Sequence, residues 1–429
     1  MSRVSRGGGA ASRVVYRHPL LRLMIPLLAP LAARAGWSDV ALAVSAVLMG
    51  WSPCPTLAQR FEWTRAVLDA ALPRRRRVGR TFQGFVKALG RRSTHLLDSI
   101  LPRLREETRR AAGRSWWCGE FVPFGADGSK FNAPRTISNE DLGVGGKDKS
   151  GPQMMMLLLV HLGCMLPWAW KCGGARDPER TLLRGLLDLL PEKTLLVADA
   201  GFTGFELLSE FQRRGVHFLI RVGRGVELLR ELGYHRREGK GTIYLWPDKH
   251  RRCRPLILRL IRVGEVYLIS DVTDPGRLSR KMAAELYRRR WGLEVAYRTL
   301  KQTLEHRAVR SAAATNARRE LDWAVVSMWM LGLVGGSALR AAGIGPRRLS
   351  YAAALKSVRH AAHARVPLRT LRGRLRSAVI DSYTRRGSKK AWRWPHKKRQ
   401  APPGAPEITR ATRRQVRLAK ALRCTSRRE

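Results

Sequence analysis

The sequence predicts an α/β fold: a mixed core preceded by a helical N-terminal region, carrying a β-rich insertion and followed by a basic C-terminal arm. Three observations predict it. Short apolar runs suited to buried strands recur through the middle of the chain, segments of helical periodicity lie between them, and both ends differ in composition from the middle.

Residues 1–115 read as mainly helical, with basic clusters at Arg74–Arg77 and at Arg91 and Arg92. Leu20–Ala33 is apolar, but Arg22, Pro26 and Pro30 interrupt it and no small-residue cleavage site follows. It therefore reads as a packed helix or loop rather than a signal peptide. In residues 116–222 the strand-like run Glu120–Phe124 leads to Asp127, and Gly128 is expected to turn the chain away from the strand end. Met154–Val160 and Met165–Trp170 flank His161–Cys164 as a hairpin of buried strands. Asp177–Leu190 has helical periodicity. Thr194–Ala198 reads as a buried strand ending at Asp199, with Gly201 and Gly204 turning into a helix near Phe205. After another short strand, His217–Val222, residues 223–265 hold glycine-punctuated β-like runs such as Thr242–Trp246, the expected insertion.

The core resumes over residues 266–345, with a strand at Tyr267–Asp271 and a long helix from near Ser279. Trp323–Leu339 carries no charge over 17 residues, at the low edge of membrane-spanning length. Ser327, Gly332, Gly335, Gly336 and Ser337 suit a closely packed, buried helix instead. Residues 346–429 are basic, and from about residue 385 the chain is rich in Lys, Arg and Pro with little apolar periodicity. That end, with the dense run Lys389–Arg399, reads as a flexible arm.

A formal net charge of +49 and a pI near 11.6 exceed what solubility requires and point to a polyanionic partner, nucleic acid before membrane. The six cysteines, at 54, 118, 164, 172, 253 and 424, have neither C-x2-C pairing nor His partners at ligand spacing. A zinc finger is disfavoured, and reduced thiols in the cytoplasm are expected. Gly143–Asp148 lacks the glycine and the Ser or Thr that a phosphate loop requires. His161, inside an apolar run, reads as a satisfied core residue. Asp271, another carboxylate after an apolar run, reads as structural because no glycine-rich turn follows it.

Three polar clusters remain: Asp127-Gly128-Ser129, Asp199-Ala200-Gly201-Phe202, and the run from Tyr287 to Lys301. At about 100° per residue, Tyr287, Arg290, Glu294 and Lys301 fall within roughly 60° of arc on a helix. Leu286, Leu293, Tyr297, Leu300 and Leu304 form the neighbouring apolar flank that anchors it. The plainer alternative is a solvated face with ion pairs between Glu294 and its basic neighbours.

Read as Tyr-x2-Arg-x3-Glu-x6-Lys, those four residues resemble the signature of the DDE transposases of bacterial insertion sequences. Asp-Gly-Ser at 127 and Asp-Ala-Gly-Phe at 199 resemble the two aspartate boxes of that class. Asp199 lies 72 residues after Asp127 and Glu294 lies 95 after Asp199, the longer interval leaving room for an inserted domain. Leu268–Asp271 and Leu300-Lys301-Gln302 add to the likeness, which covers roughly residues 116–345.

The resemblance implies an RNase H-like catalytic core and cut-and-paste DNA transposition. Asp127, Asp199 and Glu294 would hold two Mg²⁺ ions, or Mn²⁺ in their place, with Asp127 shared between them. Tyr287, Arg290 and Lys301 would grip DNA phosphates. Trp291 would lie beside an unstacked base, with a core role as its alternative. Residues 1–115 would bind the element's ends, and the chain would act as a homodimer on paired ends in the bacterial cytoplasm, at the nucleoid and away from membrane. Two other readings share these residues: a nuclease that cuts without strand transfer, and a catalytically inactive, transposase-derived DNA-binding protein.

Overall fold

A computed structural model describes residues 18–34, 36–72, 79–144, 151–239, 241–364, 366–381 and 404–425. The expected clusters Arg74–Arg77 and Lys389–Arg399, and residues 145–148 of the glycine-rich segment, lie outside the described residues. The N-terminal region is helical, as read: α1 (Pro19–Met24), α2 (Ala29–Arg34), α3 (Gly36–Trp51), α4 (Leu57–Ala71) and α5 (Phe82–Ala112). Leu20, Leu21, Met24, Leu27, Leu28 and Leu31 are all buried, so the apolar N-terminal run is packed core. Polar side chains set the starts of the later helices. Thr56 and Gln59 form a capping box on α4, and Thr81 accepts the Gly84 N–H at the head of α5.

The middle of the chain builds β1 (Val122–Asn132), α6 (Ile137–Glu140), β2 (Gln153–His161), β3 (Leu166–Gly174), α7 (Glu179–Arg184), β4 (Thr194–Ala198), α8 (Phe205–Arg213) and β5 (His217–Val222). There follow β6 (Glu227–Arg230), β7 (Thr242–Leu245), β8 (Leu256–Val263) and β9 (Val266–Ser270). Next come α9 (Arg280–Arg289), α10 (Trp291–Arg298), α11 (Ala314–Arg340), α12 (Tyr351–His363) and α13 (Leu368–Arg376). The described chain closes with β10 (Glu407–Arg410) and α14 (Arg413–Thr425).

The strands form a ten-stranded sheet in the order β10-β6-β7-β8-β9-β5-β4-β1-β2-β3. β1, β4 and β5 run parallel, while β2 and β3 fold back antiparallel on one side and β9 on the other. The glycine-punctuated strands β6–β8 extend this same sheet by hydrogen bonding to β9.

Two expectations are corrected. Gly128 does not end the first strand. β1 runs on through Asp127, Gly128 and Ser129 to Asn132, each residue paired with β2, because a nine-residue ladder outweighs one glycine's turn preference. Nor is the C-terminal end an arm throughout. Residues 407–410 pair in parallel with β6, and α14 follows, with Ala419 buried.

The uncharged run Trp323–Leu339 lies in α11, which the rest of the molecule encloses. Three tryptophan hydrogen bonds tie it to α3 and α5. Trp51 Nε1 donates to the Ser327 carbonyl at 2.9 Å, Trp323 Nε1 to Ser93 Oγ at 2.9 Å, and Trp329 Nε1 to Thr108 Oγ1 at 2.7 Å. On the sheet side, Trp170 Nε1 of β3 donates to Asp322 at 2.7 Å. α11 is long and apolar enough to cross a membrane, yet 89% of its most apolar window is buried inside the protein.

Candidate active site

Strand register brings the two aspartates together. β1 and β4 are parallel with Val122 opposite Thr194 and Gly125 opposite Val197. Continuing that register by two residues sets Asp127 opposite Asp199. Neighbouring strands lie about 4.8 Å apart and in-register side chains share a face, so two carboxylates meet there. The electrostatics agree. Burial, and next the Asp199 charge, push the Asp127 carboxyl up to about 6, against the pull of Arg290. Each aspartate is also fixed by a nearby peptide: Asp127 Oδ1 accepts the Gly128 N–H at 3.0 Å, and Asp199 Oδ1 the Gly201 N–H at 2.8 Å.

The third cluster packs across β1. Alternation along the strand points Gly125, Asp127 and Ser129 to the same side. A Cβ on Gly125 would stand 2.5 Å from Leu293 Cδ1, so the glycine lets α10 lie against the strand. Tyr297 donates its hydroxyl to the main-chain carbonyls of Asp127 at 2.9 Å and Met156 at 2.8 Å, and Lys301 Nζ donates to Ser129 Oγ at 2.7 Å. Leu286, Leu293, Tyr297, Leu300 and Leu304 are buried, as the periodicity predicts. The helix is not continuous, however. It breaks at Arg290 between α9 and α10 and widens into a π turn over Thr299–Thr303, which re-aims Lys301 toward β1.

Arg290 occupies the centre of this arrangement. Its guanidinium lies over the Tyr287 ring at 5.4 Å, and Nη2 is 4.0 Å from Glu294 Oε1. The ion pair expected of a plain solvated face is therefore present, but Arg290 is also buried enough to act on Asp127. Tyr287 Oη and Arg290 Nε are buried without a hydrogen-bond partner, two donors facing no acceptor. Glu294 is 42% exposed at the rim. Trp291 is 61% exposed, which overturns the core alternative for that side chain.

Among the described residues, no three His, Cys, Asp or Glu side chains stand close enough to hold one metal ion. The structure thus brings Asp127 and Asp199 together, while Glu294 is turned to Arg290. Two further residues at this site escaped the sequence reading. Glu179, the first residue of α7, seats its carboxyl where a Gly128 Cβ would be, 2.5 Å away, and burial followed by the Asp199 charge raises its pKa. Arg180 Nε donates to the Gly201 carbonyl at 2.7 Å, pinning the turn that carries Asp199. Only Pro178-Glu179, an acid at a helix start, marked the place.

The residues read as structural are so. Asp271 accepts from the Phe218 N–H at 2.9 Å and lies 2.6 Å from His217 Nδ1. His161 is fully buried, with Nε2 against the Trp116 carbonyl at 3.1 Å and Nδ1 accepting from the Cys164 N–H at 3.3 Å. Burial pushes its pKa down to about 4.

Residues 126–330 match the family model described as the transposase DDE domain. This segment is similar to a transposase DDE domain. The matched segment opens one residue before Asp127, contains Asp199 and the whole Tyr287–Lys301 run, and ends within α11. Over 267 residues the chain is 25% identical to transposase InsG for insertion sequence element IS4 of Escherichia coli (strain K12), a match covering 57% of this chain and 59% of that protein. The chain thus spans about three fifths of the length of that relative. A cryo-EM structure of the piggyBac transposase synaptic complex with hairpin DNA aligns over 88% of each chain with 14% sequence identity and a TM-score of 0.37.

Proposed function

We propose that this protein is a DNA transposase with an RNase H-like catalytic core, which cuts the ends of an insertion sequence and joins them to target DNA. The observation that carries the reading is the Asp127–Asp199 pair, one aspartate on β1 and the other just past the end of the adjacent parallel strand β4, inside the segment that matches the DDE domain. The strand order β3-β2-β1-β4-β5, with β2 alone antiparallel to both its neighbours in that set, supports an RNase H-like core.

The donors fit a hard divalent cation, since carboxylate oxygens are what Mg²⁺ prefers and the crowded Asp127 carboxyl is a place where positive charge is favourable. Asp127 and Asp199 would hold the ions, with Glu294 completing the set once it leaves Arg290. Two Mg²⁺ ions, or Mn²⁺ in their place, supply charge neutralisation at the phosphate and a nucleophile at neutral pH. The chain's own residues do the rest. Arg290 offers a planar fork to the phosphate oxygens of the DNA end, with Tyr287 Oη as a second donor. Lys301, held by Ser129, places an ammonium one turn farther along the strand. Exposed Trp291 faces the DNA side beside them, free to stack on a base. Joining must hold two ends at once, and each chain has one such aspartate pair, so the working form is a homodimer on paired duplex ends in the cytoplasm.

The test uses duplexes carrying the element's ends, with Mg²⁺. Asp127→Ala, Asp199→Ala and Glu294→Ala should each abolish cleavage while keeping DNA affinity, and near-normal cleavage by a folded variant removes that residue from the site. Joined products separate a transposase from a nuclease that only cuts. No cleavage by the native chain on authentic ends would leave the inactive DNA-binding reading.

A further inference from the structure

Beyond the DDE domain the described chain changes its charge. Between Asp322 and Asp381 the sequence has no Asp or Glu, while arginines recur through α12, α13 and the turns between. On α13, Leu371 and Leu375 are buried and anchor the helix, while Arg369, Arg372, Arg374 and Arg376 are exposed. At about 100° per residue, Arg369, Arg372 and Arg376 fall within roughly 60° of arc on the exposed side of the helix. Among the described residues these guanidiniums have no ion pair or hydrogen bond. Two exposed arginines elsewhere do: Arg110 pairs with Glu106 and Glu107, and Arg214 with Asp188 and Glu210. Helix electrostatics do not account for the strip either. Cations are favoured at a helix C-terminus, which suits Arg376, but Arg369 stands in the first turn, where a positive charge is unfavourable.

The strip leads toward the helix pair that carries Arg290 and Glu294, along its other flank. Residues just past α13 pair with the segment before α12: Ser350 N donates to the Ala378 carbonyl, and Ile380 N to that of Arg348. Ile380 and Arg347 line a cleft of about 260 Å³ whose other wall is Arg288, Arg289 and Trp291, beside the break at Arg290. A basic path therefore leads from the catalytic helix, through Arg347 and Arg348, to α13.

We propose that α13 is a duplex-DNA backbone clamp, in which Arg369, Arg372 and Arg376 contact phosphates of DNA that runs on from the active site. This rests on the DNA-cutting reading above and adds a partner surface outside the DDE domain. The experiment measures binding of uncleaved duplex to the full chain against salt, by fluorescence anisotropy without divalent metal, so it is independent of catalysis. Replacing all three arginines by Gln should lower the log–log salt slope by about 2.7, since each lost phosphate contact removes about 0.9. Replacing them by Lys should keep the slope, and circular dichroism of the Gln variant should match the native chain. An unchanged slope in the folded Gln variant overturns the clamp. So does an equal loss of slope in the Lys variant, or loss of binding to phosphatidylserine vesicles in place of DNA. The reading of the active site fails by a different result, Mg²⁺-dependent cleavage surviving in Asp127→Ala.

Discussion

Asp127 is half-buried in a strand interior, with the Asp199 carboxylate acting on it. Its folded pKa of about 6 lies above the ordinary 3.8, so the folded protein holds this proton more tightly than the unfolded chain does. The sign follows: stability contributed by the protonated form is intact below about pH 4 and is lost as pH rises through about 6. Asp127→Asn should therefore stabilise the metal-free protein at pH 7 by on the order of 1–2 kcal/mol after allowing for partial exposure. Below pH 4 it should change little. Thermal melts at the two pH values check this, and an equal shift at both would contradict it. Added Mg²⁺ should raise the melting temperature of the native chain and not of Asp127→Asn. At Arg290, Lys keeps the charge but loses the planar fork, so Arg290→Lys should slow end cleavage at least tenfold with little change in non-specific DNA affinity, read by single-turnover kinetics.

At the level of elements, the active site depends on how closely α10 lies against β1. Gly125→Ala would drive a methyl to within 2.5 Å of Leu293 Cδ1 and 2.9 Å of Leu162 Cδ2. Overpacking of this kind costs about 1–3 kcal/mol, and here it also pushes α10 off β1. Urea denaturation should show the loss, cleavage should fall with it, and Leu293→Val in the same chain should restore part of both. Failure of that rescue would place the damage elsewhere. These elements were unevenly legible in the sequence. The strands at 194–198 and 217–222, the 153–174 hairpin and the start of α9 at Ser279 are written in local apolar runs and a capping serine. The continuation of β1 through Asp127-Gly128 was not, because pairing with β2, distant in sequence, overrides the turn preference of glycine. The break at Arg290 and the π turn at Thr299 leave no mark in a periodic pattern that runs through both. Glu179 and Arg180 join the site through chain packing alone, which spacing does not encode.

For the whole molecule, charge and symmetry govern behaviour. With a net charge of +49, affinity for non-specific duplex should fall steeply with salt, each phosphate contact adding about 0.9 to the slope. A nearly flat dependence would contradict a long phosphate path. Light scattering of the complex with paired ends should give the mass of two chains. A competent complex of one chain with two ends would refute the dimer, whereas a monomer without DNA would not. The C-terminal strand has a consequence in time. β6, at residues 227–230, lies at the sheet edge until residues 407–410 arrive to cover it as β10. At about 5–20 residues per second, a nascent chain carries that bare edge for roughly 10–35 s. Ribosomes that stall or terminate in this interval release a protein with an intact DDE domain and an open strand, a template for chain-to-chain pairing. A chain ending at Asp381 should thus be recovered in the insoluble fraction far more than the full chain at equal synthesis. A reading frame interrupted late would in this way yield sediment rather than a stray protein with its aspartate pair intact.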